Sequence, residues 1–318
     1  MRVALDIFLL AAGFALLVKG ADIFVGASVD IAKRLKIPSI VIGLTVVAFG
    51  TSAPEAAISI SAAAGGSNGL AVGNVIGSNI FNLMLIIGLC ALISPIYIKL
   101  KEIIRDYWVS VGAAAALVLM MLIFREAVPR FGGLVLFVGF VIYMIALVRK
   151  ALKDREDNTG ENDEAENAPR KSLARIIVRA VVGLALIIGG GQSTVYGAVN
   201  IALILGLTER VVGLTILAMG TSLPELVTTV AACRKKENDI AVGNIIGSNI
   251  FNLMLVLGVS GMIMPLAVDV SLIFDISVLI AGSLLFLLFA YSKKRVARFE
   301  GIAMVLIYAA YTGVLIFT

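Results

Sequence analysis

Apolar residues run through this chain in long blocks and not in alternation. Blocks of about 17 to 25 residues, the length of helix that crosses a bilayer, recur from end to end of the 318 residues. Breaking the chain at its polar and Gly/Pro punctuation predicts ten helices. They fall near 3–20, 39–64, 70–96, 107–124, 131–148, 173–190, 209–232, 240–265, 272–291 and 299–317. A membrane barrel would instead show short segments of alternating polarity, and few occur. One long hydrophilic stretch interrupts the series, from Arg149 to Lys171. Its acids and asparagines read as a flexible linker, without the regular carboxylate spacing of a calcium-binding loop. The pattern predicts an all-α membrane protein.

The polar positions inside the apolar blocks repeat. GNVIGSNIFNLML opens at Gly73 and GNIIGSNIFNLML at Gly243, thirteen residues with one change at an offset of 170. At the same offset, ten of twenty positions are identical between 41–60 and 211–230. Each half holds five predicted spans. Because five is odd, the second copy must enter the membrane upside down. The chain divides into a first five-helix repeat (1–148), an acidic linker (149–171) and a second, inverted repeat (172–318). Inverted halves of this kind place a substrate site near the midplane, at the axis that relates them.

Composition agrees and charge adds a direction. The chain is 60% hydrophobic and 15% charged, against about 25% charged in soluble domains. Twenty-one basic residues gather on one side of the predicted spans, at 33–36, 99–105, 149–179, 234–236 and 293–298. The other side holds Arg2, Arg125, Arg130 and Arg210. Positive charge is retained in the cytoplasm, which predicts a multi-pass cell-membrane protein with the 149–171 linker cytoplasmic and both termini outside. The net charge of +5 does not point to nucleic acid, because the basic residues flank apolar spans. Lipid and inorganic cations are the expected partners, and the sequence is compatible with a monomer. Cys90 and Cys233 lack metal or redox spacing and read as small buried hydrophobes.

GTSAPE (Gly50 to Glu55) and GTSLPE (Gly220 to Glu225) lie deep within their spans, where glycine and proline predict breaks in the second and seventh helices. Ser52 and Ser222 precede Glu55 and Glu225 by three residues, the spacing of a capping box. Pro54 and Pro224 fit a first turn, where a missing N–H costs little. Carbonyls near Ala48 to Thr51 and Ala218 to Thr221 would then be freed for cations. Asn74, Ser78 and Asn82 share one helix face at four-residue spacing, as do Asn244, Ser248 and Asn252, while Asn79 and Asn249 lie off that stripe. Gly73, Gly77, Gly243 and Gly247 allow another backbone close approach. Glycine or serine alone in such helices usually means packing. Two glutamates at matching places in hydrocarbon do not, because an intramembrane carboxylate is costly and functional by default. Lys19 and Asp22 have no repeat partner, since Gly189 and Gln192 occupy their places, and read as interface or packing residues. Carboxylates ringed by hydroxyl, amide and carbonyl oxygens favour Ca²⁺, Na⁺ or H⁺ over soft metals or organic anions.

At these motifs the sequence resembles the cation/calcium exchanger superfamily, in its prokaryotic form with two alpha-repeats. The resemblance spans all ten helices and the linker. It implies ten helices in two inverted repeats and export of Ca²⁺ against Na⁺ by alternating access. A H⁺/Ca²⁺ or K⁺-dependent Na⁺/Ca²⁺ exchanger is the alternative within the same fold. It implies that cations are bound by Glu55 and Glu225, by Thr51, Ser52, Thr221 and Ser222, and by carbonyls at Ala48 and Ala218. Ser78, Ser248, Asn82 and Asn252 complete the set, with Glu55, Glu225, Asn82 and Asn252 as the innermost metal ligands. The first helix of each repeat is expected to slide across a core formed by the second and third. One departure stands out: relatives carry an aspartate in one copy at the last position, whereas Asn82 and Asn252 are both amides. No cofactor is expected. The lack of histidine, of a paired nucleophile and base, and of a cofactor loop points away from an enzyme.

Overall fold

The computed structural model describes residues 2–124, 127–158, 172–206, 218–267 and 270–317. It is almost entirely helical. In chain order the helices are α1 (Arg2–Leu35), α2 (Ser39–Thr51), α3 (Ala53–Ala64), α4 (Gly69–Ile93), α5 (Leu100–Phe124) and α6 (Arg130–Asn158). After the linker come α7 (Leu173–Ile204), α8 (Ala218–Thr221), α9 (Leu223–Arg234), α10 (Asn238–Ile263), α11 (Val270–Lys293) and α12 (Arg298–Phe317). Among the described residues eight helices are long and apolar enough to cross a membrane, and α2 with α3 makes a ninth. The predicted span 209–232 lies partly outside the described residues; its described part is α8 and α9.

Burial sorts these helices into two layers. The most apolar stretches of α4 and α10 are 72% and 89% buried, against 17–33% for the other six. Helices that are apolar on every side belong either at the centre or against lipid, and here both occur. Phe8, Leu122, Phe131 and Leu306 point outward from the outer helices, as lipid-facing side chains do.

Two expected ends move outward. The helix predicted for 3–20 continues to Leu35, and the one predicted for 173–190 continues to Ile204. At 1.5 Å per residue α1 is roughly 50 Å long, well beyond a hydrocarbon core of about 30 Å. Lys19 and Asp22 therefore sit within a helix and do not end it. The two long helices lie antiparallel, and glycines let them touch. A Cβ on Gly13 would meet the Gly190 carbonyl at 2.7 Å, and one on Gly20 would meet the Gly183 carbonyl at 2.8 Å. The expected linker also shortens, because α6 runs on through Asn158; 159–171 lies outside the described residues.

Short strand pairs absent from the sequence reading bind the halves together. β1 (Ile96–Tyr97) pairs antiparallel with β4 (Arg295–Val296), and β2 (Ala127–Val128) with β3 (Leu266–Ala267). The first pair gathers the 99–105 and 293–298 basic clusters on one face. Lys99 reaches Asp239 at 2.8 Å, Lys235 reaches Asp22 at 2.8 Å and Arg179 reaches Asp30 at 2.8 Å. The Asp239 carboxylate, hydrogen-bonded to it, holds the Lys99 ammonium above its ordinary pKa.

Three lysines leave helices in the left-handed conformation that glycine favours: Lys36 (φ 54°), Lys236 (φ 62°) and Lys294 (φ 52°). Gly66 (φ 82°) and Gly206 (φ 88°) do the same. At the 170-residue offset Lys36 falls on Gly206 and Gly66 on Lys236.

Candidate cation site

The centre of the molecule is assembled from the two breaks and the two buried helices. Between α2 and α3 the axis turns by 52°. The residue at the turn, Ser52, has φ −84° and ψ 6°, and Ser222 between α8 and α9 has φ −92° and ψ 7°. Both sit in the bridge region that ends one helix and starts another. Pro54 and Pro224 lie in the first turn of the new helix.

The serines do not cap their own helices, as the spacing had predicted. Neither makes a side-chain cap bond. Instead Ser52 Oγ donates to Glu225 Oε1 at 2.7 Å, and Ser222 Oγ donates to Glu55 Oε1 at 2.9 Å. The physical reason is tertiary. A charge-assisted bond to a buried carboxylate outweighs a neutral cap bond, and the packing brings each carboxylate to the opposite serine. Ser52, Ser222, Glu55 and Glu225 are each 0% exposed. The Ala48 carbonyl is not free either: it accepts the Ser52 N–H at 3.0 Å and lies 3.4 Å from the Thr51 hydroxyl. Ala218 opens α8, and the corresponding turn bond runs from Ser222 N–H to Met219 O at 3.2 Å.

The buried helices α4 and α10 supply the amides. Asn74 Nδ2 donates to Ser59 Oγ at 2.9 Å, and Asn244 Nδ2 donates to Thr229 Oγ1 at 2.9 Å. Thr51 Oγ1 donates to Asn244 Oδ1 at 3.2 Å, and Thr221 is buried in the same region. Asn79 and Asn249, off the stripe, link the two halves. Asn79 Nδ2 donates to Asn249 O at 3.2 Å, and Asn249 Nδ2 to Asn79 O at 3.4 Å. Asn249 Oδ1 accepts from Asn82 Nδ2 at 3.3 Å, and Asn79 Oδ1 accepts from Asn252 Nδ2 at 3.2 Å. This ring uses the amide donors and turns the remaining oxygens of Asn82 and Asn252 elsewhere.

A π-helical turn spans Phe81–Ile86 in α4, and a second spans Phe251–Val256 in α10. Such turns insert an extra residue and shift the face that follows, often at functional sites. A third covers Gly43–Val47 in α2. No local sequence signal marks them. The approach of α2 to α10 is equally close. A Cβ on Gly243 would meet the Ile40 carbonyl at 2.7 Å, and one on Gly247 would meet Leu44 Cα at 2.7 Å. Nothing among the described residues lies within 4 Å of a Cβ on Gly73 or Gly77; at the 170-residue offset the counterparts of Ile40 and Leu44 are 210 and 214, outside the described residues.

Six oxygens at this centre are buried and lack any hydrogen-bond partner: Glu55 Oε2 and Glu225 Oε2, Ser78 Oγ and Ser248 Oγ, Asn82 Oδ1 and Asn252 Oδ1. They come in three pairs at the 170-residue offset. Among the described residues no Lys or Arg pairs with either glutamate. Unpaired buried polar atoms are rare in native proteins and ask for an explanation; a buried carboxylate without a counter-charge costs more still. All six are hard oxygen donors, the set that suits Ca²⁺ or Na⁺.

Fold and site thus define a multi-span helical membrane protein with an all-oxygen polar centre between its halves. Comparison with known proteins places it further. The model of the family described as sodium/calcium exchanger protein matches residues 5–149 and 176–317, and the chain belongs to that family. It is 35% identical to sodium/calcium exchanger MaX1 of Methanosarcina acetivorans, with 99% of each chain covered. It is 35% identical to inner membrane protein YrbG of Escherichia coli, covering 90% of this chain and 89% of that protein. A solved structure of the sodium-calcium exchanger NCX_Mj, soaked with zero Na⁺ and Ca²⁺, superposes with a TM-score of 0.84 at 32% identity. There 98% of this chain and 99% of that one are covered.

Proposed function

We propose that this chain is a secondary active antiporter that exports Ca²⁺ in exchange for Na⁺ by alternating access. In this reading it has ten transmembrane helices in two inverted five-helix repeats, 1–148 and 172–318, with the second and seventh broken at Ser52 and Ser222. The observation that carries the reading is the set of six buried, unpartnered oxygens. Glu55 and Glu225 supply two negative charges, which one Ca²⁺ or two Na⁺ neutralise. Each serine across the axis holds one carboxylate oxygen and leaves the other for the ion. Ser78, Ser248, Asn82 and Asn252 add neutral oxygens, and the Asn79–Asn249 link fixes the two amide ligands. Thr51, Thr221 and the carbonyls of Ala48 and Ala218 complete the wall. Competition of the two cations for one set of oxygens couples their movements without a covalent step. The family and the name of the relative MaX1 support this choice of ions.

In the same reading the glycine-packed pair α1 and α7 moves across the core of α2, α3, α4, α8, α9 and α10. The face that gathers Lys99, Lys235 and Arg179 is cytoplasmic, which puts 149–171 inside and both termini outside. The deciding experiment is Ca²⁺ flux in proteoliposomes with Na⁺, K⁺ and H⁺ gradients imposed one at a time. An outward Na⁺ gradient should drive Ca²⁺ uptake by itself. Uptake driven only by a pH gradient would transfer the coupling to protons, and uptake that needs K⁺ would make the exchanger K⁺-dependent. No gradient-driven Ca²⁺ uptake at all would overturn the proposal.

A further inference from the structure

On the basic face, a cavity of about 690 Å³ opens between α1 and the end of α9. Lys19 and Asp22 line it from α1, and Arg234 and Lys235 from the end of α9 and the turn after it. Lys235 is committed to Asp22, with its ammonium 2.8 Å from Oδ1 and 2.6 Å from the Asp22 carbonyl. Lys19 and Arg234 line the same cavity as Asp22. One carboxylate therefore faces three cations, and the cavity keeps a surplus of two positive charges. Arg179 lies beside this cavity, since a Cβ on Gly26 would be 3.2 Å from its Nη2 and 3.6 Å from Lys235 Nζ, but its charge is matched by Asp30.

The other walls are apolar. Ala15 and Val18 line the cavity from α1. Val18 continues into an outward-facing strip with Phe14, one turn away on the same face of α1; the two are exposed by 42% and 53%, and in a bilayer they lie against acyl chains. The cavity thus joins a cationic end to a lipid-facing groove. It also breaks the internal symmetry. The residues matching Lys19 and Asp22 in the second half are Gly189 and Gln192, and those matching Arg234 and Lys235 in the first are Ala64 and Gly65. Folding two similar halves does not require these four charges, since the other copy folds without them.

We infer that this cavity is a binding site for one anionic phospholipid, whose headgroup phosphate bridges Lys19 on α1 and Arg234 on α9 while an acyl chain follows Ala15, Val18 and Phe14. Charge complementarity selects the occupant. Anionic lipid attracts basic residues near the surface, and a soluble anion would leave the adjoining apolar groove empty. The site links one of the two long helices to the segment that carries Glu225, so its occupancy ties lipid composition to the stability of that contact. The inference needs only that the chain is embedded in a membrane, so it stands or falls separately from the Na⁺/Ca²⁺ reading.

The test uses the purified full chain. Native mass spectrometry counts bound lipid when phosphatidylglycerol or phosphatidylcholine is added, and thermal melting is followed in parallel. Lys19→Gln with Arg234→Gln is compared with Lys101→Gln with Arg298→Gln, which removes the same charge elsewhere on that face. All four side chains are at or near the surface, so the core is untouched. The expected result is one tightly retained phosphatidylglycerol on the wild type and the control. The Lys19/Arg234 variant should bind it at least tenfold more weakly and lose the lipid-induced rise in melting temperature. Equal retention by both variants would overturn the inference. So would equal retention of phosphatidylcholine, or displacement of the effect by millimolar inorganic phosphate without lipid.

Discussion

Gly247→Ala adds a single methyl group at the tightest contact between α10 and α2. Its Cβ would stand 2.7 Å from Leu44 Cα, 2.7 Å from Leu44 O and 2.8 Å from Ala48 Cβ. Carbon atoms in ordinary contact sit about 3.5–4.0 Å apart, so the helices must part by roughly 1 Å. Two of the three obstacles are backbone atoms, which cannot rotate away. Overpacking of this kind costs about 1–3 kcal/mol. Parting the helices also stretches the Thr51–Asn244 bond from 3.2 Å beyond hydrogen-bonding range, a further loss of about 1 kcal/mol. Ser248, next in the chain, shifts with it. A total of about 2–4 kcal/mol at the site corresponds to a fall in transport of at least about tenfold. The assay pairs thermal melting of the purified protein with Ca²⁺ uptake into Na⁺-loaded proteoliposomes. Gly112→Ala is the control: nothing lies within 4 Å of its new Cβ, and a helical Gly→Ala change gains about 0.5–1 kcal/mol. If Gly247→Ala melts and transports like Gly112→Ala, the close approach of α2 to α10 does not hold the site together.

Glu55→Gln and Glu225→Gln should each lower Ca²⁺ uptake by at least about a hundredfold, because each removes half of the buried negative charge. Glu300→Gln should not, since it accepts the Ala297 N–H at 2.6 Å and a glutamine oxygen can take over. Asn252→Asp should favour an additional Na⁺ and make exchange more electrogenic, read as a shift in the reversal potential of Ca²⁺ flux; an unchanged reversal potential would show that neutral oxygens already set the stoichiometry. Single cysteines within 159–171, in a background lacking Cys90 and Cys233, should resist an impermeant thiol reagent on intact cells. Labelling from outside would reverse the proposed orientation.

Much of the candidate site could be read from residue type alone. Glu55 and Glu225 announced themselves because carboxylates are costly in hydrocarbon, and Ser78, Asn82, Ser248 and Asn252 followed from helical spacing. What the sequence hid was partnership. The Ser52–Glu55 spacing is local and invites a local bond, whereas the bond made depends on which residue lies across the axis. Asn79 and Asn249 are off the stripe in the folded helices too; their roles depend on contact between the two halves. The length of α1 was missed for a different reason. Lys19, Gly20 and Asp22 resemble a helix end, but Asp22 finds its counter-charge in Lys235, 213 residues away. Likewise α6 runs on through DREDN to Asn158, past the point where the apolar pattern ends.

The left-handed lysines bear on how such a molecule is made. At positions 36 and 236 a glycine would relieve about 1 kcal/mol of backbone strain each, and Gly206 and Gly66 show that the same turns accept it. If these turns face the cytoplasm as proposed, conformational preference and insertion pull in opposite directions at them. A molecule whose halves resemble each other has little in its core to say which way up it belongs. Direction is decided during synthesis, by which loops are held back from crossing, and the finished fold retains the strain of that decision. Exchanging Lys36 with Gly206 and Lys236 with Gly66 would leave the architecture nearly intact while erasing part of the instruction that orients it. In the proposed orientation heredity would act on two distinct readers, the folding chain and the insertion machinery, and these lysines would answer to the second.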